Sequence, residues 1–496
     1  MSGLHRMSNY SEFNLPVFSG AFAGEHPRVT DFRAQFDRLA PRGDHLSARD
    51  TNLFVAPRDW RYTSVERRRV NTGRNHFQGM QRLRNYVFLS GADLTEPCSH
   101  LFVIRLGSRR ERGVWGSNIM QQSRPSDQDR VVRVVALDAQ LNHPGGISLL
   151  GDVLAIPVEG DHANSRVIFL NVADPEEPAR FPEDVDIRRS GIPKAGAVAL
   201  ARLPDGRFLC GVWWEDANAH PPGELDLYMT HDGNLFGGFE PEPLVVRFPR
   251  VRGRKVQYQA VAFITADDAV AEDADAVPLY MVALENESPS APTINGVNRA
   301  DLFAIDFKPW APGADPRTGS FQVTTLASPG FECGIEHGNF DAAAGIHIED
   351  DGVITLYTGY HWRVNGTFRF AEFRARRDAS LAVLDPEDSW IELYEHDGLR
   401  GRCLTILGTQ EATLQDYSRI FVQGGDFDKA VSSLQYQIAP GLTYRLYRTV
   451  RLRGSRPGAD FFDLVGTGRL EVVQDLAKDP FRFGDRVMSS RYLPGP

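Results

Sequence analysis

The residues with the clearest chemical potential are histidines. His76 and His143 each stand three residues before a glycine, Gly79 and Gly146, that opens an apolar run. His337 lies beside Glu336 ahead of a similar run at Gly345, and His361 precedes Trp362. Imidazoles that converge on one point hold a transition metal or serve as acid and base. Glu336 and Asp341 are placed to orient them. His76, His143, Glu336, His337 and His361 are thus the candidate catalytic or transition-metal set. The competing role for His76 and His143 is hydrogen bonding between neighbouring elements, and the corresponding stretches at Ala195 and Tyr258 carry no histidine. The second set is aromatic: Trp213-Trp214 followed by Glu215-Asp216, and Tyr360-His361-Trp362. Aromatic faces beside carboxylates suit sugars and cations, which makes Trp213, Trp214 and Trp362 candidate ligand contacts. Carboxylates on separate elements also suit glycoside chemistry. Against this, a Trp pair commonly fills the gap between twisted sheets. A phosphate-binding G-x-x-x-x-G-K-[ST] motif, a G-x-S-x-G elbow and an H-E-x-x-H motif are all absent from the sequence.

The elements that would position these residues are strands. Helical periodicity is nearly absent, and short β-branched or aromatic runs alternate with Gly, Pro, Asp and Asn, the pattern of an all-β chain. A small-residue segment leading into an apolar strand recurs at Gly79, Gly146, Ala197, Ala260 and Gly345, with spacings of 67, 51, 63 and 85 residues. Each is followed by a second strand (86–90, 153–158, 207–213, 279–284, 353–360) and a third (101–106, 166–172, 225–230, 301–307, 368–374). A fourth follows in several repeats (131–137, 244–251, 321–326). A four-stranded sheet cannot bury both faces alone, and packing such sheets radially covers them. Residues 71–380 therefore resemble a β-propeller of five blades, or six if another lies within residues 10–70. Residues 1–70 form an extension whose strand 52–56 is expected to help close the ring. Small residues at the start of each inner strand permit close backbone approach at the axis.

The chain of 496 residues has a net charge of −10, 42% hydrophobic residues and a mean hydropathy of −0.32. No apolar run approaches the roughly 18 residues of a membrane helix, and the acidic balance excludes nucleic acid as a bulk partner. The charge is uneven: residues 1–135 carry +8 and the remainder −18. The cysteines Cys98, Cys210, Cys333 and Cys403 are scattered, indicating neither a zinc site nor a disulfide framework. The first residues lack the apolar segment of a signal peptide, so a soluble, cytoplasmic protein is expected.

From Trp390 a shorter repeat begins. Tyr394 and Tyr447 each precede a glycine, Gly401 and Gly454, with six residues between. The two halves close on Asp428-Lys429-Ala430-Val431-Ser432-Ser433 and Asp485-Arg486-Val487-Met488-Ser489-Ser490. Tyr-x6-Gly followed by D-x-x-x-S-S, twice in order, resembles the βγ-crystallin family over residues 389–493. The resemblance implies a sandwich of two Greek keys. In microbial relatives it implies calcium bound through such loops, with Asp428, Ser432, Asp485, Ser489 and the hairpin residue Glu395 as ligands, and the Arg448 carbonyl contributing. Lys429 and Arg486 stand where the family pattern has an acid or amide. A cation there removes an oxygen ligand and adds repulsion, so weak or lost sites are expected.

Together these features point to a soluble protein that binds a small molecule, a carbohydrate or a protein partner in a propeller mouth, with a stabilising second module. The alternative is a hydrolase, lyase or isomerase with a His/carboxylate centre, with or without a metal.

Overall fold

The computed structural model describes residues 10–11, 15–39, 44–47, 75–93, 99–105, 130–138, 140–160, 164–192, 194–214, 223–251, 253, 256–286, 298–331, 338–341, 343–348, 352–360, 369–374, 389–397, 400–407, 416–417, 421–422, 425–426, 428–453, 460–478 and 486–493. The chain is all-β apart from one short helix, Phe32–Asp37, and a few 3-10 turns among the described residues. No helix among them is long and apolar enough to cross a membrane. The chain divides into two units, the first comprising Met1–Arg42, Phe54–Arg105 and Val131–Ala375.

The first unit holds five sheets among the described residues. The first is built from Asn75–Leu83, Tyr86–Asp93, Ser99–Arg105 and Arg130–Asp138, with Tyr10–Ser11 added in parallel along the last. The second runs from Ser148–Leu150 through Val153–Glu159 and Asn164–Asn171 to Ala179–Arg180 and Ile187–Ser190. The third is a meander of Ala197–Arg202, Phe208–Trp214, Glu224–Met229 and Leu244–Arg247. The fourth comprises Ala260–Ile264, Val277–Asn286, Asn298–Lys308 and Ser320–Ala327. The fifth contains Gly345–Ile348, Ile354–Tyr360 and Arg369–Arg374. The expected inner, second and third strands all fall on observed ones, as do the three fourth strands. The outer strands of the second sheet were not among the expected elements, and the proposed strand at 52–56 lies outside the described residues.

Alternation along each strand explains how the sheets stack. Successive side chains point to opposite faces. Leu154, Ile156 and Val158 of the second sheet pack with Phe88, Leu101 and Val103 of the first. Val153 and Ala155, which alternate with them along the strand, pack with Val198, Leu200 and Cys210 of the third. On the third sheet Phe208, Cys210 and Val212 face the second, whereas Leu209 and Trp213 face Phe263, Met281 and Phe303 of the fourth. Inner strands also touch in sequence order, and the fifth returns to the first: Gly79 and Ala344 form a parallel bridge, with Met80 N donating to Ala344 O at 2.9 Å. Gly146 and Ala197 form a second such bridge. Backbones meet so closely that a Cβ on Gly79 would stand 2.5 Å from Ile147 N.

Residues 15–39 run along the end of this unit where inner strands turn into second strands. Phe18 N donates to Arg180 O at 2.7 Å, Asp152 N to Ala23 O at 2.7 Å and Asp267 N to Val29 O at 3.1 Å. The Gln35 amide donates to Gly352 O at 3.2 Å. This strap thus ties the second, fourth and fifth sheets together. Phe18 and Phe22 add an apolar anchor on Phe181, Phe208 and Phe236.

The second unit includes Arg376–Pro496. One sheet has the order Arg400–Leu407, Trp390–His396, Ser433–Gln437, Leu470–Val473, and another the order Phe461–Val465, Thr443–Tyr447, Ser489–Leu493. Each half of the repeat supplies three adjacent strands in the same order, and one strand of the later half, Leu470–Val473, joins the sheet of the earlier. Between the sheets lie Ile391, Leu393, Leu434, Tyr444, Leu446 and Val487.

Candidate functional site

At the starts of the inner strands the second sheet places a polar cluster. Residues His143–Pro144 pair with the end of the second strand, so that His143 lies opposite Glu159. The His143 Nδ1 is 3.1 Å from Glu159 Oε1, and its Nε2 is 3.3 Å from the Gln78 amide nitrogen. The partners assign the tautomer: Nδ1–H donates to the carboxylate, and Nε2 accepts from the amide. Lys194 Nζ donates to Glu159 Oε1 at 3.0 Å and Ala195 N to Glu159 Oε2 at 2.6 Å. Burial alone raises the Glu159 carboxyl. The bonds from His143 and Ala195, with the charge of Lys194, outweigh it and hold the group below the usual carboxylate range. Glu159 is a fixed anion, His143 has both ring nitrogens engaged, and the half-exposed Lys194 ammonium, at 47% side-chain exposure, keeps donors toward solvent.

Lys194 connects to the next sheet through Arg189. This guanidinium donates to the Lys194 carbonyl and to Asp226, and both side chains of the ion pair are fully buried. The Arg189 guanidinium carbon also lies 5.7 Å from the centre of the half-buried Trp214 ring. Its neighbour in sequence points the other way. Trp213 is 1% exposed and packs at 5.3 Å on Phe248 and 4.9 Å on Tyr258. Alternation along Phe208–Trp214 turns Trp213 toward the fourth sheet and Trp214 toward the second, which makes Trp213 a packing residue rather than the ligand contact expected of it.

The remaining sheets add buried polar groups at the same end. Tyr258 donates to Asp301 at 2.7 Å, and Gln257 N to Glu285 at 3.1 Å. In the fifth sheet burial pushes the Asp341 carboxyl up to about 6. His76 occupies the first inner strand opposite Ala92. Its side chain, and Glu336, His337, His361 and Trp362, lie outside the described residues. Of the histidine set, His143 is therefore the member that the structure places, and it is held by side chains. Sequence inspection missed Gln78, Glu159, Lys194, Arg189 and Asp226. The signal that finds Glu159 is register, because it ends the second strand directly opposite a candidate histidine.

In the second unit, Asp428 and Lys429 are ion-paired at 3.7 Å, and Lys429 adopts a left-handed backbone with φ of 54°. Tyr394 pairs with Ser433, whereas Tyr447 pairs with Ser489, so the two matching loops close one residue out of step. Ser489 Oγ donates to Thr449 O at 2.5 Å and accepts from Leu452 N at 3.2 Å. Burial, then the charge of Arg486, holds the Arg448 guanidinium below its ordinary range. Asp485 lies outside the described residues. Among those described, no three His, Cys, Asp or Glu side chains are grouped to hold a metal ion.

No protein-family model matches the chain, and none of the curated proteins does. Solved structures similar to it include a mannose phosphorylase, MPT-4, from Leishmania mexicana, at 11% identity over 61% of this chain and 84% of that one, with a TM-score of 0.29. A GH43_1 enzyme from Xanthomonas citri is similar at 9% identity over 61% and 89%, with a TM-score of 0.29. A member of the GH130 family of mannoside phosphorylases and glycoside hydrolases is similar at 10% identity over 75% and 99%, with a TM-score of 0.32. TM-scores of this size leave function to be argued from the chain's own residues.

Proposed function

We propose that the first unit is a five-bladed β-propeller that binds a small polar ligand, of the carbohydrate class, in its mouth at the starts of the inner strands. The observation that carries this is the saturated cluster around Glu159. Both Glu159 oxygens and both His143 ring nitrogens are satisfied, and the exposed part of the cluster is the Lys194 ammonium, joined through Arg189 to the Trp214 ring. Hydroxyl oxygens accept from the ammonium, and an aromatic face receives an apolar sugar face. The test is calorimetric titration of the full chain with neutral and uronic-acid oligosaccharides. Lys194→Met and Trp214→Ala are each expected to weaken binding by about tenfold or more. Absence of saccharide binding, or binding unchanged in both variants, overturns the proposal.

A second reading is favoured by Asp341. A carboxyl that titrates near 6 at a ligand mouth is suited to general-acid work, which fits a hydrolase, lyase or isomerase. In that case turnover falls with Asp341→Asn while saccharide affinity stays.

The second unit we read as a βγ-crystallin-like pair of Greek keys that stabilises the protein. Its support is the shared strand order of the two halves and the strand of one half seated in the sheet of the other. Calcium is weakly held at best: Lys429 competes for Asp428, Arg448 and Arg486 repel, and the Ser489 hydroxyl is already bonded.

A further inference from the structure

At the opposite end of the first unit, where the inner strands finish, the strap borders a half-open pocket of about 330 Å³, at which Arg84 is exposed. Its polar lining includes His26, Gln81, Arg84 and His347, and Leu83 and Ile346 are among its apolar walls. Two carboxylates, Glu25 and Asp152, also line it; the first is neutralised by an arginine, and the second keeps its charge while bonded to backbone. Glu25 pairs with Arg202 at 2.8 Å, and Asp152 accepts the Ala23 N–H at 3.0 Å. Gln81 donates to Ile147 O at 3.0 Å. The side chains of Arg84 and His26, by contrast, enter no hydrogen bond or ion pair among the described residues.

Arg84 has a second peculiarity. It sits in the two-residue turn between Asn75–Leu83 and Tyr86–Asp93 with a φ of 53°, in the left-handed region that glycine or asparagine occupies more easily. Its carbonyl is gripped by Arg82 Nε at 2.7 Å, and Arg82 in turn donates to the Tyr357 hydroxyl at 3.3 Å. Backbone strain kept at a site is a pointer to a function for the side chain it presents. Burial, meanwhile, holds the His26 imidazole down to about 4, so that it offers one N–H and one lone pair near neutrality.

We propose that this pocket is a second binding site, for a small oxyanion on an apolar body, either a carboxylate or a phosphate monoester, with Arg84 and His26 as its ligating side chains. The free guanidinium supplies charge and a fork of donors, the imidazole a further N–H, and the leucine and isoleucine walls a place for the apolar part. The volume is at the lower end of small-molecule sites, roughly 300–1,000 Å³. Because His26 belongs to the strap and Arg84 to the first sheet, an occupant also clamps the strap to the ring and stabilises the fold.

The test uses the full chain, titrated calorimetrically with phenyl phosphate, benzoate and the neutral benzyl alcohol. One or both anions are expected to bind and to raise the melting temperature, and the alcohol to do neither. Which anion binds separates the phosphate source from the carboxylate source. Arg84→Gly relieves the left-handed backbone, so it should melt at or above the wild-type temperature while weakening anion binding by about tenfold or more. His26→Phe fills the same volume without the N–H and should weaken binding too. Lys194→Met, at the other end of the unit, should leave it unchanged. The proposal is overturned if neither anion binds at millimolar concentration, if benzyl alcohol binds as well as the anions, or if Arg84→Gly binds like wild type.

Discussion

Gly146 approaches Gln259 so closely that a Cβ on it would stand 2.0 Å from the Gln259 carbonyl oxygen. These residues belong to the second and fourth repeats, so the contact crosses the middle of the ring. The same glycine also bridges Ala197 of the third sheet, donating its N–H to Gly196 O at 2.8 Å. Backbone, not side chain, is what meets there. Gly146→Ala must push apart strands fixed by their own ladders, and is expected to cost about 3 kcal/mol or more. Denaturant unfolding checks this, with Ala197→Gly as a milder control that leaves room at the same contact.

Glu159 predicts a stability that depends on acid. Its carboxyl is held below the ordinary range in the folded chain, so the unfolded chain binds the proton more readily. The stabilisation it gives is present above the ordinary carboxylate range and is lost as pH falls through the lowered value. Glu159→Gln is expected to cost about 2–4 kcal/mol at neutral pH, since it strands buried donors. The difference from wild type should shrink in unfolding titrations as pH falls below the ordinary carboxylate range.

Asp341 should behave in the opposite sense. Burial raises its carboxyl to about 6, so between about 4 and 6 the folded chain holds the proton that the unfolded chain releases. Stability attributable to this group therefore falls as pH rises through that window and stays low above it. Asp341→Asn is expected to melt higher than wild type at pH 7 and nearly level with it at pH 4. A variant that melts lower at both pH values would mean that the charged carboxylate makes contacts worth more than its burial costs.

Much of this arrangement is legible in the residues themselves, for reasons the packing makes plain. The run 153–158 is apolar throughout because both of its faces are buried, Leu154 and Ile156 against one sheet and Val153 and Ala155 against the other. Small residues mark the inner strands because those backbones touch. The strand Ile187–Ser190 escapes notice because one of its inward positions is Arg189, a polar residue whose burial is paid for by Asp226 on another sheet. The strap is hidden for a different reason. It carries no strand periodicity, only single bridges such as Val17 with Arg180 and Val29 with Ala266. At the starts of the inner strands, histidine draws attention by type, yet both ring nitrogens of His143 are engaged by Gln78 and Glu159. The group with free donors is Lys194, whose partners come together only through strand register.

Lys429 offers the sharpest test of the second unit. Its ammonium lies 3.7 Å from the Asp428 carboxylate, the oxygen donor a calcium ion would need in that loop, and its φ of 54° is one that asparagine adopts at lower cost. Lys429→Asn removes the competing charge, adds an amide oxygen and eases the backbone together. Without calcium the variant should therefore be no less stable than wild type. With calcium it should melt higher than it does in chelator, whereas wild type should shift little or not at all. Adding Asp428→Ala to the variant should abolish the calcium response while leaving the unit folded, as judged by its tyrosine near-ultraviolet dichroism. A wild-type protein that gains as much from calcium as the variant would mean that Lys429 swings clear of the loop. No response in either would mean that the loop lacks the oxygens to hold the ion.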